Sequence, residues 1–265
     1  YSRRLQFVYR TKKSMMNTYG LIGFPLKHSF SAKFFTEKFK RENIDAKYLN
    51  FEIENIRQIK EVVSANPNLK GLNVTIPYKE QVIPFLDELS PEAEKIGAVN
   101  VIKIDRKPND RYDYHLKGYN TDYPGFKKSI EPLIKPDIHK KALVLGTGGA
   151  SKAVVQALDD LGIDWKYVSR TPGENKFIYE ELTPEIINNY RIIINASPVG
   201  TFPNVNECPA IPYPYLTGNH LLYDLVYNPK ETLFLKKGKA HGATVKNGEE
   251  MLLIQAQEAW RIWTT

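Results

Sequence analysis

Residues 143–158, LVLGTGGASKAVVQAL, constrain this chain more than any other segment. An apolar run enters the turn Gly146-Thr147-Gly148-Gly149-Ala150-Ser151 and leaves it as a helix-forming stretch. In such a turn Gly146 permits the tight bend and Gly148 lets the backbone approach a pyrophosphate. The start of the helix then offers unpaired N–H groups and the positive end of its dipole. Ser151 stands where a third glycine is usual, and it is small enough for close helix–strand packing. A second strand pattern, DWKYVSR over residues 164–170, follows at the right distance. Strand, turn, helix and strand together predict a dinucleotide-binding unit rather than an ordinary glycine turn. That second strand ends in Val168-Ser169-Arg170-Thr171. An NAD enzyme would carry an acid there for the ribose hydroxyl. Arg170 instead presents a guanidinium fork suited to a 2′-phosphate, flanked by the hydroxyls of Ser169 and Thr171, and so predicts NADP.

The rest of the chain alternates strand-like and helix-like patterns. Strands are expected at residues 18–23, 47–53, 70–76, 99–104, 112–118, 141–146, 164–170, 191–196 and 220–226. Helices are expected at 31–43, 55–65, from 122 onward, at 149–161 and at 248–263. Such alternation predicts an α/β protein whose parallel sheets are covered by helices on both faces, in two blocks facing each other across a cleft. A chain of 265 residues with 25% charged and 42% hydrophobic side chains can bury cores of that size. Its lone cysteine, Cys208, leaves no internal disulfide and no cysteine-rich zinc site, so no metal is expected and a reducing, cytoplasmic setting fits. Five of the seven net positive charges sit in residues 1–16, on Arg3, Arg4, Arg10, Lys12 and Lys13. The remainder is nearly neutral, so the charge gives no case for a nucleic-acid partner. Residues 1–16 read as a disordered or non-native lead-in, with Met15 or Met16 as the natural start. No run reaches the ~18 apolar residues of a membrane helix.

Three polar clusters precede the glycine turn. The first, residues 23–31 (GFPLKHSFS), runs from a strand into a helix. Ser29 and Ser31 would stand near the helix amino end, where an anion is stabilised; the plainer reading makes Ser31 the N-cap. His28 reads as structural. The second, residues 73–80 (NVTIPYKE), brings Lys79 just after a strand that stops at a proline. Lysine loses its proton readily on desolvation and can serve as acid or base, although most lysines are surface charges. The third, residues 118–125 (GYNTDYPG), holds Asp122 at the boundary between the blocks. Asp122 either caps the next helix or pairs with Lys79 across the cleft. After another strand, Asn195-Ala196-Ser197-Pro198 forms either a plain turn or a cofactor contact at a strand's carboxyl end.

Taken together, GFPLKHSFS, NVTIPYKE, GAVN (residues 97–100), NTD (120–122), GTGGAS, SRT, INASPVG, YDLVYNP (223–229) and Gln255 resemble the shikimate dehydrogenase family, in its order, from residue 17 to residue 263. The resemblance implies a mixed α/β substrate domain, residues 17–121 plus 248–265. It also implies a Rossmann-type doubly wound parallel-sheet domain for NADP, residues 122–247, with the last helix returning to the substrate domain. The implied reaction interconverts 3-dehydroshikimate and shikimate, on the route to aromatic amino acids. Lys79 and Asp122 are the implied catalytic pair. Ser29, Ser31 and Tyr227 would bind the substrate carboxylate, and Thr75, Asn100 and Gln255 the ring hydroxyls. Gly146, Thr147, Gly148, Gly149, Ala150, Ser169, Arg170, Thr171, Asn195, Ser197, Leu225 and Gly248 would line the cofactor. The expected partners are small molecules, on a monomer or homodimer. Two segments depart from the family pattern: Ala32 follows Ser31 where a proline is usual, and residues 247–251 read NGEEM. A broader quinate/shikimate dehydrogenase and a non-catalytic nucleotide sensor are the other readings; a sensor would need neither Lys79 nor Asp122.

Overall fold

The computed structural model describes residues 16–26, 29–107 and 113–265, so the expectations for residues 1–15, for His28 and for the strand start at residue 112 lie outside it. The first sheet takes the order β2-β1-β3-β5-β6-β4, formed by β1 (Asn17–Gly23), β2 (Ala46–Glu52), β3 (Leu69–Val74), β4 (Glu88–Leu89), β5 (Val101–Arg106) and β6 (Tyr114–Tyr119). The first three strands are parallel, but β5 runs antiparallel to both β3 and β6. The expectation of parallel sheets therefore fails for this lobe. Only residues 107–113 connect β5 to β6, too few for the crossover that a parallel pair needs, so the pair is antiparallel.

The second sheet is parallel throughout, in the order β12-β11-β10-β7-β8-β9. Its strands are β7 (Lys141–Leu145), β8 (Asp164–Ser169), β9 (Lys176–Ile178), β10 (Ile192–Asn195), β11 (Leu221–Asp224) and β12 (Thr244–Lys246). The central strands are buried on both faces, which is why they read as continuous apolar runs rather than alternating ones. The chain winds outward from β7 in one direction and restarts at β10 in the other. The crevice between these two strands is the switch point where such sheets hold a ligand.

Helices cover both sheets. On the first, α1 (Phe30–Arg41) packs Phe35 and Phe39 on one face, while α2 (Ile59–Ala65) packs Ile59 and Val63 on the other. On the second, α4 (Asp122–Ile130) and α5 (Gly149–Asp160) fill one face with Phe126, Ile130, Val154 and Leu158. Opposite them α6 (Pro184–Asn189) and α7 (Leu233–Ala240) supply Ile187, Phe234 and Leu235. α3 (Pro91–Ile96) and α6 are six-residue helices that hydrophobic periodicity overlooked. Both start with a capping hydroxyl, a proline and a glutamate, Ser90-Pro91-Glu92 and Thr183-Pro184-Glu185, which is a start signal without periodicity.

The last helix, α8 (Glu249–Thr264), joins the lobes. Met251 in its first turn belongs to the second lobe's core, whereas Ala256, Ala259, Ile262 and Trp263 pack into the first. Trp263 anchors the far end: its indole N–H donates to the Ile102 carbonyl at 3.0 Å, and its ring stacks on Tyr19 at 5.0 Å. The indole lies flat against Gly71 of β3, where any Cβ would collide with it. Gly71→Ala is thus expected to displace the end of α8 and to cost about 1–3 kcal/mol of stability, as overpacking a filled core does. Urea unfolding would read this as a lower midpoint; an unchanged midpoint would mean that the indole gives way freely.

Candidate active site

The chemistry of the first lobe gathers at the carboxyl ends of β1 and β3. After β3 the chain turns through Thr75, Ile76 and Pro77 and brings Lys79 back toward the second lobe. Lys79 is held by its own backbone, since its carbonyl accepts from Val99 N–H at 2.7 Å. Its ammonium donates to Asp122 Oδ2 at 2.6 Å. Asp122 is the first residue of α4 and does not serve as its cap. The other carboxylate oxygen, Oδ1, accepts from Asn100 Nδ2 at 3.1 Å. Asn100 is fixed in turn by Thr121, whose N–H donates to Asn100 Oδ1 at 2.7 Å. Gln255 of α8 meets the same group, its Oε1 lying 3.5 Å from Thr121 Oγ1. Of the two alternatives for Asp122, the structure shows the pairing with Lys79.

This pair lines a cavity of about 390 Å³, together with Ser29, Ser31, Thr75, Asn100, Tyr227 and Gln255. All eight residues named from the sequence as catalytic or substrate-binding thus share one chamber. Ser29, not Ser31, caps α1: its Oγ accepts from Ala32 N–H at 3.0 Å, and the helix starts one residue earlier than expected. Accepting that bond occupies a lone pair and leaves the Ser29 hydroxyl proton available to a ligand. Ser31 sits within the first turn, and burial pushes the Tyr48 phenol well above its ordinary pKa. Tyr48 itself donates to Asn73 Oδ1 at 2.7 Å, so it stays neutral and orients Asn73 in the cavity wall. Tyr227 enters from the second lobe and meets Phe30 edge to face at 5.9 Å. Burial raises its pKa too, which keeps the phenol a donor. The sequence reading missed the apolar part of the wall, Leu21, Phe24, Leu26, Ile76 and Leu252. Apolar spacing does not mark them in the sequence; in the structure two of them, Phe24 and Ile76, are large side chains left exposed beside prolines. Among the described residues Lys79 is the sole cation in the lining, and no arginine is present.

The residues expected to hold a dinucleotide lie along the carboxyl ends of β7, β8, β10 and β11. Gly146 has φ +102°, a conformation that favours glycine, and a side chain there would press on Ser197 across the switch-point crevice. A Cβ on Gly148 would meet no heavy atom within 4 Å, which leaves open space at the start of α5, and no side chain caps that helix. Such a cradle suits a pyrophosphate on the free N–H groups near Gly149 and Ala150. Thr147 is exposed beside it. Ser151 is fully buried, its hydroxyl donating to the Gly148 carbonyl at 2.6 Å, and so fills the place of the third glycine. After β8, Ser169 bonds to the backbone of Thr171 and pins the turn, leaving the Arg170 guanidinium exposed. These features fit an NADP adenosine end. On the other side, Gly248 donates to the Val226 carbonyl at 3.2 Å, and a side chain at residue 248 would collide with Leu225.

A residue not foreseen from the sequence organises that far side. Asp224 ends β11 fully buried and accepts from Thr232 Oγ1 at 2.6 Å, Val226 N–H at 3.0 Å and Asn195 Nδ2 at 3.0 Å. Asn195 Oδ1 then accepts from the Ser197 hydroxyl at 2.6 Å. One carboxylate so joins the loop after β10 to the loop after β11.

The comparisons with known proteins agree with this geometry. The family described as shikimate dehydrogenase substrate binding domain matches residues 21–102. A shikimate dehydrogenase (NADP(+)) of Carboxydothermus hydrogenoformans is 40% identical over 261 residues, spanning 92% of this chain and 90% of that protein. The crystal structure of shikimate dehydrogenase from Aquifex aeolicus superposes with a TM-score of 0.81 at 36% identity, covering 94% of this chain and 93% of that one. A shikimate 5-dehydrogenase from Thermus thermophilus, in complex with NADP(H) and shikimate, superposes at 0.77 with 30% identity and 94% of each chain covered.

Burial raises the Asp224 pKa to about 6, against the lowering effect of its three hydrogen bonds. The unfolded chain therefore releases this proton at lower pH than the folded one, and stability falls as pH rises through about 4 to 6. Asp224→Asn is expected to be more favourable relative to the parent at pH 8 than at pH 4, by roughly 3 kcal/mol at about 1.4 kcal/mol per unit. Thermal unfolding of both proteins across that range checks it; a constant difference would mean that Asp224 titrates normally.

Proposed function

This chain belongs to the shikimate dehydrogenase family, and on that premise we propose that Lys79 and Asp122 handle the proton and the ring hydroxyls of the substrate. The chain is an NADP-dependent oxidoreductase that reversibly reduces 3-dehydroshikimate to shikimate, a step toward the aromatic amino acids. The observation that carries the assignment of roles is the Lys79–Asp122 contact of 2.6 Å inside a chamber walled by hydroxyl and amide groups.

Reducing a ketone needs a hydride on carbon and a proton on oxygen. Bound NADP(H) supplies and accepts the hydride at the nicotinamide. The Lys79 ammonium donates a proton to the carbonyl oxygen in reduction, and the neutral amine takes it back from the alcohol in oxidation. Asp122, held by Asn100 on its other oxygen, keeps the Lys79 Nζ directed and accepts from a neighbouring ring hydroxyl. The hydroxyls of Ser29 and Tyr227, beside the amino end of α1, bind the carboxylate as neutral donors, which avoids burying a further charge. Ser31 joins them from the first turn of α1. Thr75, Asn100 and Gln255 contact the remaining hydroxyls. In this reading residues 17–121 with 248–265 form the substrate lobe and residues 122–247 the cofactor lobe. Gly146 to Ala150 hold the pyrophosphate and Ser169, Arg170 and Thr171 the 2′-phosphate. Asn195, Ser197, Leu225 and Gly248 border the nicotinamide end.

The assay is NADPH consumption with 3-dehydroshikimate and NADP reduction with shikimate, with quinate as a separate arm. Lys79→Ala is expected to lower kcat by about 10²–10⁴-fold, the usual contribution of acid–base assistance, with NADP affinity retained. Near-normal turnover in that variant would remove Lys79 from the mechanism. Arg170→Ala is expected to lower the NADP-over-NAD ratio of kcat/KM by about 10–100-fold, the value of one charge-assisted contact. A ratio that stays put would reassign Arg170 to the solvent.

A further inference from the structure

Part of the seam between the two lobes runs along α5, where one side of that helix makes the contacts. Gly149, Lys152, Ala153 and Asp160 fall at i, i+3, i+4 and i+11, which places them on one face. Gly149 faces Lys79 so closely that a Cβ there would lie 3.2 Å from Lys79 Cβ. Lys152 donates to Glu80 Oε2 at 2.6 Å. Ala153 is fully buried and packs with Ile96 and Ala98 at the end of α3. Asp160 accepts from the Tyr123 phenol at 2.7 Å and pairs with Lys95 at 3.6 Å. The helix whose amino end forms the pyrophosphate cradle is therefore docked lengthwise on the segment that carries the catalytic lysine.

We propose that Glu80 and Lys152 are positioning residues whose ion pair sets Lys79 at its working distance from the cofactor. The inference rests on the functional reading above. Glu80 is chain neighbour to Lys79, and Lys152 lies one helical turn beyond the cradle. Their bond thus fixes the reacting acid against the helix that holds the dinucleotide. The seam leaves little slack on this side, because a side chain at residue 149 would crowd Lys79 and the Lys79 carbonyl is tied to Val99. The pair itself is partly solvated, with 35% and 48% of the two side chains exposed. A pair so exposed contributes little to stability. Its loss should therefore appear in turnover and not in melting. Misplacing a catalytic group by about 1 Å can cost 10²-fold in rate, so a few tenths of an ångström suffice for a measurable loss.

The test is a double-mutant cycle with E80Q, K152Q and E80Q/K152Q in the full chain. Readouts are kcat at saturating NADP and shikimate, NADP affinity by titration calorimetry, and melting temperature. Each single variant is expected to lose about tenfold in kcat, and the double variant no more than the worse single, because one bond is broken in all three. Melting temperatures and NADP affinity should stay close to the parent's. Losses that multiply in the double variant would overturn the proposal, as would unchanged kcat. A loss confined to NADP affinity in K152Q would overturn it by making Lys152 a direct phosphate ligand. Melting that falls in step with kcat would overturn it by making the pair merely structural. A parent protein that does not turn over shikimate with NADP would remove the functional reading and the proposal together, whereas normal parent turnover with multiplying losses removes the proposal alone.

Discussion

A carboxylate that is only 7% exposed must find a cation, a set of donors, or both, and Asp122 finds both. The ammonium of Lys79 takes one oxygen and the amide of Asn100 the other. Those partners come from the chain after β3 and from the start of β5, so satisfying one buried charge draws three separate segments to a point. Asn100 is in turn tied to Thr121, and Thr121 faces Gln255 at the middle of α8. The lobes need not be held by a large apolar interface at this point. A polar cluster that is satisfied only when all its members are present specifies one arrangement, and a missing member would leave a buried group unpaired.

Around that point two helices act as struts. α5 carries the cradle at its amino end and lies against the first lobe through residues 149, 152 and 153. α8 begins in the second core with Met251 and ends in the first with Trp263. Both run past the cleft, so the separation between the switch-point crevice and the chamber of Lys79 is set by rigid elements instead of loops. This is how two sheets of different topology, one mixed and one parallel, can present a single site.

The sequence exposed what is local and concealed what is not. The glycine turn was legible because strand, turn and helix are contiguous, so their physics is written in adjacent residues. The central strands of the second sheet were legible because burial on both faces leaves an uninterrupted apolar run. The helices α3 and α6 were overlooked because six residues cannot display a 3.6-residue period, although their caps were in plain view. The first lobe was expected to be parallel because alternation of strands and helices holds through β3 and breaks only at β5. The frame of α1 slipped by one residue because two serines, Ser29 and Ser31, offer equivalent caps two positions apart. Thr75, Asn100 and Gln255 were named through family resemblance alone, since their convergence depends on contacts such as that between Thr121 and Gln255, 134 residues apart. Glu80, Asp224 and Asn195 stand inside the quoted motifs, but the contacts Glu80–Lys152, 72 residues apart, and Asp224–Asn195, 29 apart, leave no mark in either segment and stayed invisible.

Asp224 shows the other solution to the problem that Asp122 poses. It is more deeply buried, makes no ion pair among the described residues, and relies on three donors. Donors alone do not offset the lost hydration, which is why its pKa rises to about 6 and why its charge opposes folding at neutral pH. An apolar residue would pack there at lower cost, but it could not accept from Val226, Asn195 and Thr232 at once. Those three bonds hold the turns after β10 and β11 in register, the same turns that carry Ser197 and Tyr227. A cation beside Asp224 would relieve the cost to folding, yet it would add a positive charge next to the crevice that the proposed function gives to the pyridinium end of the cofactor. The arrangement accepts weaker folding at this position in return for an ordered floor beneath the cleft that carries no cation.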